Sequence, residues 1–156
     1  MPGNPIEPRD PDWDKKVRAS FARQTFMDTI GGRIAALSPG YCEVELAYCG
    51  DLCQQNGYLH GGVITSIAAN AAGYAAFSLM PPNSSVLGVD YKINLLNPAV
   101  GERFIAIGRV LKPGRTLSVV ECDIEAEAAG KRKLIAKMLT TMMCLEGVPD
   151  EIRYRK

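Results

Sequence analysis

Histidine is almost missing from this chain: His60 is the only one in 156 residues. A catalytic zinc centre built from two or three histidines is therefore excluded within one chain. A Ser-His-Asp triad would have to use His60, and no Gly-x-Ser-x-Gly elbow is present. An excess of either charge is missing too. Eighteen Lys and Arg face 17 Asp and Glu, which leaves no basic footprint for nucleic acid. The five cysteines, Cys42, Cys49, Cys53, Cys122 and Cys144, are odd in number and contain no Cys-x-x-Cys pair. They read as reduced structural thiols, not as a disulfide frame or a metal site, and point to the cytoplasm. No apolar signal core occurs near Pro2, Pro5, Pro8 and Pro11, so residues 1–12 read as a flexible arm.

The most telling absence is local. No Asp, Glu, Lys or Arg lies between Asp51 and Asp90. Inside that stretch, residues 63–77 are dominated by Ala and other small or apolar residues, the pattern of a buried helix without a polar face. Gln54, Gln55, Asn56, His60 and Asn70 interrupt the block and Pro81-Pro82 closes it, which favours a soluble buried helix over a membrane span. His60-Gly61-Gly62 stands at its start. Uncovered N–H groups at such a helix end favour partial negative charge, as on a polarised carbonyl.

Around this helix the periodicity predicts α+β architecture in one domain, residues 13–146, with a tail over 147–156. A first helix is expected over Asp12 to Met27, from Trp13, Val17, Phe21 and Phe26. Strands are expected over 33–37, 41–48, 85–96, 103–111, 116–126 and 134–145. In the second, Cys42, Val44, Leu46 and Tyr48 alternate with Glu43 and Glu45, which are assigned to the outer face. The fourth is apolar on both faces. In the fifth, Val120, Cys122 and Ile124 form the inner face. Antiparallel strands joined by short turns can curl around the apolar helix and bury it.

Three segments carry a resemblance: residues 54–62, residues 89–99 (Val-Asp-Tyr-Lys-Ile-Asn-Leu-Leu-Asn-Pro-Ala) and residues 112–117 (Lys-Pro-Gly-Arg-Thr-Leu). In this order they resemble hotdog-fold acyl-CoA thioesterases of the phenylacetic-acid-degradation type. The resemblance implies a hydrolase that splits acyl-CoA into acid and CoA without a cofactor or a metal. It implies that the Gly61 N–H binds the thioester carbonyl and that Gln54 helps place the carbonyl or the water. His60 then organises the loop, and Gly62, Asn70, Gly88, Lys112, Gly114 and Arg115 lie along the substrate. It also implies a homodimer or homotetramer with sites between subunits, acting on acyl-CoA and not on membranes or nucleic acid.

One departure is sharp. The family places an Asp or Glu nine residues after the histidine, and here that position is Ala69. Thr65, Ser66 and Asn70 are poor bases at neutral pH. Three accounts stay open at this level: an impaired thioesterase, a different acid such as Asp90, or a binding protein that holds acyl-CoA without cleaving it.

Overall fold

A computed structural model describes residues 6–151. Two short helices, α1 (Trp13–Phe21) and α2 (Thr25–Ile30), precede β1 (Arg33–Ser38) and β2 (Tyr41–Ala47). The central helix α3 (Gly61–Phe77) follows, and then β3 (Ser84–Leu95), β4 (Arg103–Lys112), β5 (Leu117–Ala128) and β6 (Lys131–Glu146). The six strands form one antiparallel sheet in the order β1-β2-β4-β5-β6-β3. This sheet wraps α3, as the apolar helix requires.

The expected helix over Asp12 to Met27 is in fact two. Gln24 leaves the helical region (φ −82°, ψ 93°), and its Nε2 donates to Tyr74 Oη at 2.6 Å. The break turns Met27 and Ile30 into the core and leaves Phe26 half exposed. The Lys16 ammonium then secures the far end of α3: it donates to Met80 O and Pro81 O at 2.8 and 3.1 Å.

Two strand expectations also need correction. Tyr48 lies beyond β2 and is exposed, with its Oη directed at Gly57 O, 3.5 Å away. Glu45 faces outward as expected, yet only 4% of it is exposed. Arg33 and Arg103 cover its carboxylate at 2.6 and 2.8 Å. Their apolar stems shield the outer face while the charges stay in water. Ile105 and Ile107 sit within the same ionic layer, buried on the face of β4 turned away from α3. The inner residues Val120, Cys122 and Ile124 are fully buried. Burial pushes the Cys42 thiol up to about 12.

Gly108 explains how closely β4 approaches the helix. A Cβ there would lie 2.6 Å from the carbonyl carbon and oxygen of Ala71. Only glycine lets strand and helix backbones touch at that point.

The central helix is less buried than its composition predicts. From Ala71 onward every residue is buried, but Gly62 is exposed and Val63, Thr65, Ser66, Ala69 and Asn70 are only half buried. The reason lies in the sheet. β3 is one of its two edge strands, and Leu87, Val89, Tyr91 and Leu95 are each 45–60% exposed. The stripe of small residues on α3 and this apolar edge leave one side of the fold open.

Candidate functional site

His60 is the N-cap of α3. Its Nδ1 accepts the Gly62 N–H at 2.8 Å, which assigns the neutral ring its proton to Nε2. The His60 carbonyl accepts the N–H groups of Val63 and Ile64 at 2.9 and 3.2 Å. Of the first four N–H groups of the helix, Gly61 alone has no acceptor among the described residues. A Cβ at Gly62 would meet His60 Nδ1 at 3.0 Å and push the imidazole back by a few tenths of an ångström. The two glycines therefore divide the work: Gly62 lets the imidazole fold over, and Gly61 keeps an open donor at the positive end of the dipole.

That donor borders a cavity of about 400 Å³, lined by Gln54, Tyr58, Gly61, Leu95 and Asn97 among others. Gln54 and Gly61, predicted together, are brought together. The Gln54 backbone and side chain hold the loop in shape: its N–H donates to Tyr58 O at 2.9 Å, and its Oε1 accepts the Asn56 N–H.

A second cavity, about 390 Å³, opens at the middle of α3. Ala69, Asn70 and Gly73 form its floor, Gly88 and Met142 a wall, and Ser20, Arg23, Gln24, Tyr74, Asp150 and Glu151 the rest of its rim. Ala69, Asn70 and Gly88 are thus gathered, but away from Gly61. Eight residues of helix separate Gly61 from Ala69, a rise of about 12 Å. Asn70 donates to Ser66 O at 3.0 Å, while its Oδ1 is shut off from solvent with no donor. The Tyr74 hydroxyl sits between Ser20 Oγ at 3.2 Å and Gln24, and burial raises it above its usual 10.

Gly114 and Arg115 line a third cavity with Ala76, Leu79 and Met80, beside Arg9. Fifteen residues of helix, about 22 Å, lie between Gly61 and Ala76. Lys112 is exposed at the end of β4 and lines none of these cavities. Within one chain, then, the predicted residues other than Lys112 fall into three groups spaced along α3.

Asp90, weighed as a substitute acid, lies elsewhere. Its carboxylate accepts the Thr141 N–H and hydroxyl at 2.9 and 3.1 Å, at the bulge between β3 and β6. It borders Val119 and Leu139 on the sheet face away from α3. It cannot serve the cavity at Ala69 of its own chain. The tail acids Asp150 and Glu151 do border that cavity, and the sequence reading missed them. Their only local signal was Gly147, which turns the chain at φ +78° just after β6. Among the described residues no three His, Cys, Asp or Glu side chains gather as a metal site.

An antiparallel sheet wrapped around one apolar helix, with a glycine amide open at the helix tip, defines the hotdog fold. The sequence profile described as the Thioesterase superfamily matches residues 56–132. The chain is 47% identical to a thioesterase family protein from Silicibacter pomeroyi, with a TM-score of 0.85 over 86% of this chain and 99% of that one. It is 30% identical to the 1,4-dihydroxy-2-naphthoyl-CoA hydrolase of Listeria monocytogenes over 64% of this chain and 81% of the relative. The PaaI protein of the E. coli phenylacetic acid degradation operon shares the fold, with a TM-score of 0.80 at 18% identity over 90% of this chain and 99% of that one. The chain belongs to the thioesterase superfamily.

Proposed function

We propose that this protein hydrolyses acyl- or aryl-CoA thioesters at a site built from two copies of the chain, in the manner of the phenylacetic-acid-degradation branch. The carrying observation is the Gly61 N–H at a helix tip, without an acceptor among the described residues and bordering a cavity it shares with Gln54. A donor aimed where negative charge grows on the thioester oxygen contributes about 3–4 kcal/mol to the barrier reduction. A CoA-ester hydrolase among the relatives supports the substrate class.

Two copies are needed for a geometric reason. Gly61 and the Ala69 cavity lie about 12 Å apart along one rigid helix, too far to serve one carbonyl. An antiparallel pair of α3 helices would set Gly61 of one copy against Ala69 of the other. The half-buried stripe on α3 and the apolar edge of β3 offer the surface for that pairing. Gly62 lines the entry, Lys112 and Arg115 supply cations for the CoA phosphates, and the protein works in the cytoplasm.

Ala69 favours a second reading, a thioester-binding protein without turnover, because the helix offers no base. The two separate on one experiment. Gly61→Pro removes the single free donor while proline is well accepted at the first helical position, and His60 already has the extended ψ of 135° that a following proline asks for. The expected result is a folded protein whose thioester hydrolysis falls about 10²–10³-fold. A hydrolysis rate unchanged by this substitution, or absent in both proteins and in Ala69→Asp, overturns the hydrolase reading.

A further inference from the structure

We propose that Glu151 supplies, from the C-terminal tail, the carboxylate that the central helix lacks at Ala69. The inference rests on the hydrolase reading and assigns its base. Two cavities border the place where the thioester and the water would meet. The cavity at Gly61 is lined by no Asp or Glu. The cavity at Ala69 is lined by two, Asp150 and Glu151. Asp150 is already committed, because its carboxylate is paired with the Arg23 guanidinium at 2.5 Å. Glu151 has no hydrogen bond or ion pair among the described residues.

The tail is held where it must be for this role. Gly147 turns the chain, and its N–H donates to Asn83 O at 2.9 Å. Arg23 then donates to the Asp150 backbone carbonyl at 2.8 Å as well as to its side chain, and anchors itself on Ala19 O at 3.0 Å. The Arg23–Asp150 clamp thus fixes the residue before Glu151 against the linker between α1 and α2, at the rim of the cavity. The floor is shaped to leave room. Ala69 presents only a methyl group, and a Cβ built at Gly73 meets nothing within 4 Å. The cavity, about 390 Å³, leaves space above Ala69 for a water and the reacting end of a thioester.

The step balances with groups already named. The Glu151 carboxylate takes a proton from water as the water oxygen bonds to the thioester carbonyl carbon. The oxygen of the resulting tetrahedral species is held by Gly61 N–H of the other copy. The carbon–sulfur bond then breaks, and the departing CoA thiolate receives the proton from Glu151. Acid and free thiol leave, and the carboxylate is restored.

The test is steady-state release of free thiol from a panel of acyl-CoA and aryl-CoA esters by four full-length proteins: the native chain, Glu151→Gln, Ala69→Asp, and the double variant. Glu151 is exposed, so its amide isostere leaves the fold intact, which circular dichroism verifies. The expected result is turnover by the native chain, a kcat at least 100-fold lower in Glu151→Gln with KM unchanged, and recovery in the double variant. A native kcat that survives in Glu151→Gln overturns the assignment. So does a native chain without turnover beside an active Ala69→Asp, which leaves the hydrolase reading standing. Silence of all four proteins overturns both.

Discussion

At the residue scale, the histidine the chain has so little of is spent on structure. His60 holds Gly62 N–H through Nδ1 and leaves the neighbouring amide free. Replacing a helix cap by alanine costs about 1 kcal/mol. His60→Ala is therefore expected to lower the unfolding free energy read from urea denaturation by that amount, while His60→Asn, itself a good cap, retains most of it. A protein as stable with alanine as with histidine would remove the capping role. Glu127 makes a second residue-scale case. Hydrogen bonds from Arg103 first, and then from Arg132, hold its carboxyl below the usual 4.5. A carboxyl depressed in the folded state adds stability above its unfolded value and loses it as pH falls through the folded one. Denaturation between pH 6 and 3 is expected to show Glu127→Gln losing less stability on acidification than the native chain. Parallel curves would show that the arginines contribute nothing there.

At the element scale, the decisive contact is β4 against α3. Gly108 brings strand backbone onto Ala71 with no room for a methyl group. Gly108→Ala is expected to cost about 1–3 kcal/mol from forced displacement of packed elements, read as a lower thermal midpoint with unchanged secondary structure. A neutral outcome would mean that the helix slides freely over the sheet. The alternation of β5 was legible in the sequence because the side-chain period of a strand is two: Val120 and Ile124 fell on the buried face as expected, and β4, expected to be apolar on both faces, buries Phe104 on one and Ile105 on the other. The break between α1 and α2 was not legible. It depends on Gln24 reaching Tyr74, 50 residues away, and no local period carries that contact.

At the scale of the whole molecule, one side of the fold remains open. Val89 and Tyr91 are 45% and 60% exposed on an edge strand whose outer side has no neighbouring strand among the described residues, a surface that natural sheets cover or charge. Sedimentation is expected to show a homo-oligomer for the native chain. Val89→Lys, which adds a charge to that edge, is expected to give a folded monomer with little thioesterase activity. A monomeric native protein with full activity would sink the two-copy site. This scale also explains why the candidate site was only partly legible. Gln54 and Gly61 lie seven positions apart and one loop brings them together. The Ala69 cavity instead gathers residues from Ser20 to Glu151, and the tail acids carried no motif.

By itself the sequence determined the α+β architecture, the apolar central helix and its glycine-marked start. These follow from local chemistry: the periodicity of side chains, the absence of charge over residues 52–89, and the small size of glycine. Tertiary structure alone decided that the Gly61 amide, unlike its neighbours, has no acceptor among the described residues, that Asp90 belongs to a sheet bulge, and that the tail returns to the cavity floored by Ala69. Those outcomes depend on distance through space between residues far apart in the chain, and a linear pattern holds no record of that distance.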